Sequence, residues 1–227
     1  MHIAALFDMD GLLIDSEASI MEAWLRVANG MGIRLQREEY LTVVGRAAPD
    51  AMAVLVEQFG GKQNFERASA RVTADLDAIP DSRRFPLKAG AAEVLAALSE
   101  IGVPCAVASS STRKEIEARL ASAGVRAFFA ALASGDEVSR GKPDPEVYAL
   151  AARRLGVDPT LCVAFEDSDH GARAALAAGA KLVLVPDLVR PSGEIRSQAL
   201  KVLNSLTEAT PLLQSWFRLA RLAPRST

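Results

Sequence analysis

Ala91-Ala92-Glu93-Val94-Leu95-Ala96-Ala97-Leu98-Ser99-Glu100-Ile101-Gly102-Val103-Pro104-Cys105-Ala106-Val107-Ala108 is the stretch that decides the fold. Its first part repeats apolar residues at helical spacing (Val94, Leu95, Leu98), and Gly102 then supplies the left-handed conformation that ends a helix. The second part is an unbroken apolar run of strand length. The same grammar recurs downstream. Ile116, Leu120 and Ala123 precede Gly124; Val147, Leu150, Ala151 and Leu155 precede Gly156 and the run Leu161-Cys162-Val163-Ala164-Phe165. A last helix, Ala172 to Ala178, stops at Gly179 and leads into Lys181-Leu182-Val183-Leu184-Val185. Wholly apolar strands separated by helices imply a parallel sheet covered on both faces. The expected fold is a doubly wound, Rossmann-like α/β domain.

The N-terminus adds one more strand, Ile3-Ala4-Ala5-Leu6-Phe7, which runs into Asp8-Met9-Asp10-Gly11. Residues from about 16 to 85 break the pattern. They carry helical periodicity (Ile20, Met21, Trp24, Leu25, Ala28, Met31, then Met52, Val54, Leu55, Phe59) and no strand signal. The expected organisation is therefore an α/β core of residues 1–15 and 86–227, with a helical cap domain of residues 16–85 inserted after strand one. An insert at that point stands over the exit of the first strand and can act as a lid. The last residues, Trp216 to Thr227, hold three arginines and read as a frayed tail.

Bulk properties narrow the function. The chain has 227 residues, 50% hydrophobic and 24% charged, with a net charge of −2 and both signs interspersed. This balance argues against nucleic acid or an anionic membrane as partner. Two histidines make a histidine-based zinc site a poor reading. Cys105 and Cys162 each lie in an apolar run and read as small buried residues of a reducing compartment. No apolar run approaches the ~18 residues of a membrane helix, and a signal peptide's basic start is missing. A soluble cytoplasmic protein is the expectation.

Ligands of open parallel sheets bind beyond the strands' exit ends, so those ends are where chemistry is expected. Asp8 and Asp10 alternate to the same side of their strand, with Met9 on the other. A calcium loop fails, because Leu12 and Leu13 stand where that loop wants a carboxylate or amide and a glycine. The strand through Ala108 exits at Ser109-Ser110-Ser111-Thr112, which suits either a helix N-cap or an anion cradle. The strand through Phe165 exits at Glu166-Asp167-Ser168, and Gly141-Lys142-Pro143-Asp144-Pro145 places Lys142 just ahead of a proline-started helix.

These four features, in this order, resemble the haloacid dehalogenase-like superfamily of aspartate-nucleophile phosphotransferases. The pieces are Phe7-Asp8-Met9-Asp10-Gly11-Leu12-Leu13-Ile14-Asp15-Ser16-Glu17, Ala108-Ser109-Ser110-Ser111, Gly141-Lys142-Pro143-Asp144-Pro145-Glu146 and Phe165-Glu166-Asp167-Ser168-Asp169-His170-Gly171. The resemblance implies a phosphomonoester substrate and a Mg²⁺ cofactor, whose hard charge suits oxygen ligands and offsets the repulsion between a carboxylate and a dianionic ester. Asp8 would be the nucleophile and a metal ligand. Asp10 would serve as general acid, then general base, and its backbone carbonyl would bind the metal. Asp167 would be a further metal ligand, with Glu166 bound directly or through water. Ser109 would hold a phosphoryl oxygen and Lys142 would neutralise it together with Asp8. Gly11, Ser110, and Gly45 and Arg46 of the insert would line the substrate.

The chain is especially similar to the β-phosphoglucomutase-like branch, in which true mutases carry a histidine at the position of Ile20. Isoleucine moves no proton, so hydrolysis is favoured over mutase chemistry. Arg83, Arg84 and His170 are weaker candidates. Two readings from other classes fit the chain less well. A phospho-receiver domain has its acidic pair ahead of the lysine and no insert of this length. A catalytically silent binding protein would have little use for clustered carboxylates, which cost stability unless a cation offsets them.

Overall fold

The computed structural model describes residues 1–44, 48–80 and 84–217, and of residues 48–50 the backbone alone. Six parallel strands form one sheet in the order β3-β2-β1-β4-β5-β6. They are β1 (Ala4–Phe7), β2 (Cys105–Ala108), β3 (Phe129–Ala133), β4 (Cys162–Glu166), β5 (Lys181–Leu184) and β6 (Lys201–Val202). The strand order reverses beside β1, where the chain moves from the β2–β3 side to β4. That switch point leaves a crevice at the exits of β1 and β4.

Alternation along the strands creates two chemically different faces. Ala5, Phe7, Cys105, Val107, Val163 and Phe165 point to one side, where they pack with Val94, Leu95 and Leu98 of the helix Ala91–Glu100. Phe7 stacks on Phe165 with ring centroids 4.6 Å apart and meets Phe129 edge-on at 6.1 Å. Ala4, Leu6, Ala106, Ala108, Cys162 and Ala164 point to the other side, against the helices Glu146–Leu155 and Asp169–Ala177. This second face is nearly all alanine, so its helices lie close to the sheet and their first residues reach the crevice.

The sequence reading located β1, β2, β4 and β5 within two residues at each end and missed two strands. β3 is the short, alanine-rich Phe129-Ala130-Ala131-Leu132-Ala133, which lacks the β-branched residues that mark a strand. β6 has two residues, too few for any period. The expected frayed tail needs correction at its start. Trp216 and Phe217 are buried, Trp216 lies 6.1 Å from the Phe165 ring, and Phe217 bridges to His2. Residues 218–227 lie outside the described part.

Between β1 and the sheet's second entry stand the helices Ser16–Gly30, Arg37–Leu41, Ala48–Gln58 and Lys62–Asp77. They have an apolar cluster of their own, centred on Trp24 with Phe59 at 5.4 Å and Phe65 stacked at 5.6 Å. The two chain segments joining these helices to the sheet run side by side. Asp15 N–H donates to the Pro86 carbonyl (2.8 Å) and Lys88 N–H to the Leu13 carbonyl (2.9 Å). No helix among the described residues is long and apolar enough to cross a membrane.

The Phe7–Phe165 stack sits directly under the crevice. Phe7→Ala is expected to cost about 3–5 kcal/mol in urea unfolding. A loss below about 1 kcal/mol would mean that the stack is dispensable.

Candidate active site

Register brings the acidic residues together. Phe7 pairs with Phe165, so the next residues, Asp8 and Glu166, leave the sheet side by side at the switch point. Asp8 N–H donates to the Phe165 carbonyl (3.1 Å), which holds the backbone of Asp8 in the strand direction. Carboxylate oxygens of Asp8, Glu166 and Asp167 all lie within 4.8 Å of one another. Lys142 enters from the loop before the helix Glu146–Leu155 and bonds two of them, Asp8 Oδ1 at 2.5 Å and Glu166 Oε1 at 2.6 Å. Tyr148, the third residue of that helix, donates its phenol to Glu166 Oε1 (2.7 Å), and its ring stands 5.0 Å from the Lys142 ammonium.

The other oxygen of Glu166 is held by its own loop. Oε2 accepts from Asp167 N–H (3.1 Å), Ser168 N–H (3.4 Å) and the Ser168 hydroxyl (3.3 Å). Two glycines make room for this arrangement. A Cβ on Gly171 would lie 1.8 Å from Glu166 Oε1, and one on Gly11 would lie 2.3 Å from Asp167 Oδ2. Gly11 also has φ +85°, a conformation that other residues adopt only at a cost.

The electrostatics follow from burial. Taking Asp8 out of water raises its pKa, Lys142 opposes that rise and Glu166 adds to it, leaving Asp8 at about 7. Burial, then Glu166 and Asp8, likewise push Asp167 well above the carboxylate range. Burial alone would pull Lys142 down, but Asp8 and Glu166 outweigh it and hold the ammonium above its ordinary range. Tyr148 is pushed up chiefly by burial and next by Glu166, so its phenol stays a donor. A pocket with three carboxylates and one ammonium is short of positive charge. Its donors are all carboxylate oxygen, without imidazole or thiolate, and such a set fits a hard divalent cation such as Mg²⁺.

Asp10 stands apart from this cluster. Its Oδ1 accepts from Ser16 Oγ (2.6 Å) and from Arg119 Nη1, and its Oδ2 accepts from Ser111 Oγ (2.8 Å). Ser109 is buried, and its hydroxyl oxygen accepts from Ser111 N–H (3.1 Å) while its own N–H donates to the Ala133 carbonyl (3.0 Å). Ser110 is exposed beside it. Gly45, Arg46 and Arg83 lie outside the described residues. Their neighbours Leu41, Thr42 and Val44 line a cavity of about 350 Å³ together with Asp167, His170 and Asp187. His170 is the second residue of the helix Asp169–Ala177. Arg84 is turned to the insert, donating to Asp77 Oδ1 at 2.9 Å. Ile20 packs against the insert's apolar cluster.

Sequence reading missed Arg119, Ser16, Tyr148, Gly171 and the pair formed by Lys88 and Asp187. The buried Asp187 carboxylate takes a bond from Lys88, which also lies 3.7 Å from Asp15. Glu17, half-buried nearby, is raised to about 7 by burial and by Asp10 and Asp187, with Arg119 opposing. Ser16, Glu17 and Gly171 did carry a signal, since they stand in the quoted motifs without a role being assigned to them. Cys105 and Cys162 are buried as expected, and burial drives both thiols up to about 12.

With this geometry in hand, comparison with known proteins is informative. A family model described as haloacid dehalogenase-like hydrolase matches residues 4–179. Validoxylamine A 7'-phosphate phosphatase of Streptomyces hygroscopicus subsp. limoneus is 36% identical over 208 residues, spanning 92% of this chain and 96% of its own. Hexitol phosphatase B of Escherichia coli K12 is 33% identical over 218 residues, covering 92% and 94% of the two chains. A solved structure of a HAD family hydrolase from Deinococcus radiodurans with bound phosphate and sodium superposes with a TM-score of 0.77 at 32% identity, covering 96% of this chain and 99% of the other.

Asp8 is ordinarily protonated near 3.8 and here near about 7, and Glu17 shifts in the same sense. Between those values the folded chain holds protons that the unfolded chain has released, so metal-free stability falls as pH rises through that window. A divalent cation should replace the missing positive charge. Added MgCl2 is therefore expected to raise the melting temperature more at about pH 8 than at about pH 5. Equal shifts at both would refute the assignment.

Proposed function

The chain belongs to the haloacid dehalogenase-like hydrolases, and from that premise we propose that it is a Mg²⁺-dependent phosphatase working through an aspartyl-phosphate on Asp8. It is a phosphoric monoester hydrolase. The proposed substrate is a small phosphorylated metabolite, a sugar phosphate or a related polyol phosphate. Relatives named for validoxylamine A 7'-phosphate and for hexitols support a hydroxyl-rich leaving group. The reading takes the protein as a cytoplasmic monomer without nucleic-acid or membrane partners, and residues 16–85 as a cap over the core formed by 1–15 and 86–227.

The observation that carries this proposal is the bond from Lys142 to Asp8 in a pocket shared with Glu166 and Asp167. A carboxylate attacks a phosphate dianion only when charge repulsion is cancelled. Lys142 cancels part of it and holds Asp8 Oδ1, leaving Asp8 Oδ2 for attack in line with the ester oxygen. A Mg²⁺ ion held by Asp8, Asp167, the Asp10 carbonyl and Glu166 would supply the remaining positive charge. Ser109 and Ser110, on the loop between β2 and the helix Arg113–Ser122, are assigned to the phosphoryl oxygens. Gly11, Gly45 and Arg46 are assigned to the substrate-lining set.

Asp10 completes the chemistry. In the first half-reaction the Asp8–phosphorus bond forms, the ester bond breaks and Asp10 gives its proton to the departing alkoxide. In the second, Asp10 takes a proton from water as the water oxygen bonds to phosphorus and Asp8 is released. Mutase chemistry is disfavoured by Ile20, whose side chain is packed into the insert and has no proton to move.

Asp8→Asn should leave the melting temperature within a few degrees of wild type and lower phosphate release by about 10³-fold or more. Removal of divalent metal with EDTA should stop turnover, and MgCl2 should restore it. A panel of phosphorylated sugars and polyols with phosphate as readout would identify the substrate, and full activity in Asp8→Asn would refute the assignment. With β-glucose 1-phosphate, hydrolysis should outpace formation of the 6-phosphate; the reverse would establish a mutase.

A further inference from the structure

We infer that Arg119 is a positioning residue for Asp10, fixing one carboxylate oxygen so that the other carries the proton in transit. The inference rests on the acid–base role proposed for Asp10. A carboxylate offers about four lone-pair sites, two on each oxygen. On Asp10, Oδ1 has both in use, by the Ser16 hydroxyl and Arg119 Nη1, whereas Oδ2 accepts from Ser111 alone. Oδ2 therefore keeps the one free site. It is the oxygen that gives its proton to the leaving alkoxide as the ester bond breaks, and that later receives water's proton as Asp8 is released.

Arg119 is built to hold this geometry. It lies on the helix Arg113–Ser122, about two turns beyond Ser111, so both donors approach Asp10 from the same side of the core. The guanidinium is itself restrained on three sides. It sits 4.9 Å from the centroid of the Phe85 ring, Nη2 is 3.6 Å from Glu115 Oε1, and Nη1 is 3.4 Å from Ser111 Oγ. A planar, permanently charged fork confined in this way fixes a direction as well as a charge. Ser16 grips Oδ1 from the first helix of the insert, so the orientation of Asp10 is shared between core and insert. Arg119 makes no bond to Asp8, Glu166 or Asp167, and its far side lines a cavity of about 520 Å³ with Lys114, Phe85 and Thr73.

Leaving-group dependence separates this role from a structural one. For this reaction kcat/KM reports the steps up to departure of the leaving group, and p-nitrophenolate departs without an acid whereas an alkoxide needs one. The experiment measures kcat/KM for p-nitrophenyl phosphate and for the alkyl phosphate turned over fastest in the panel above. Wild type, Asp10→Asn, Arg119→Met and Arg119→Lys are compared, with melting temperatures alongside. The ratio of alkyl to aryl kcat/KM is expected to fall about 10-fold or more in Asp10→Asn and Arg119→Met, and by less in Arg119→Lys. An unchanged ratio in Arg119→Met, with a fall in Asp10→Asn, overturns the role of Arg119 alone. An unchanged ratio in Asp10→Asn overturns the underlying acid–base reading. Should Arg119→Met fail to fold, the ratio in Arg119→Lys decides, with a fall supporting the inference and an unchanged value overturning it.

Discussion

One ammonium among three carboxylates governs this molecule. Lys142 bridges Asp8 on the first strand and Glu166 on the fourth, and both partners are nearly or wholly withdrawn from water. Ion pairs of this kind gain little net stability, because desolvation consumes most of the Coulomb attraction. Their benefit here is placement. The bridge spans the switch point of the sheet, and it holds the side chain of Asp8 at the mouth of the crevice. The surplus of negative charge is what makes a divalent cation fit, so fold stability and chemistry draw on the same imbalance.

The two faces of the sheet divide the labour of supporting that pocket. Phe7, Phe165 and Phe129 form an aromatic floor on one side, with Trp216 extending it. On the other, alanines let the helices of Tyr148 and Gly171 come close enough for both to touch Glu166. A larger residue at Ala106 or Ala164 would push those helices outward and withdraw the phenol. Core packing therefore reaches the site through distance, by setting how near each helix can stand.

Asp10 occupies the boundary between sheet and insert. Ser16 comes from the insert's first helix, while Ser111 and Arg119 belong to the core. The cavities on either side are each lined from both parts, one by Thr42 and Asp187, the other by Thr73 and Arg119. Any molecule filling either cavity would therefore touch both parts of the chain.

Much was legible before any coordinate. Helix–glycine–strand repeats specify a parallel sheet because period and cap chemistry are local properties, and the acids at strand exits were visible because strand ends are where such sheets expose side chains. Asp8, Glu166 and Asp167 could be named on that basis, and Lys142 by the company it keeps in the family resemblance. β3 and β6 could not be found, since an alanine-rich run and a two-residue pair owe their strand state to neighbours. Trp216 and Phe217 looked like the start of a loose tail, and only folding against Phe165 and His2 makes them core. The same holds for Tyr148 and Arg119, which sit in ordinary helical text. What the chain by itself determined was the order of elements and the chemistry at their ends. What tertiary structure decided was which of those ends meet, because contact between residues a hundred positions apart depends on strand order and helix-to-sheet distance, and neither is written in any local stretch.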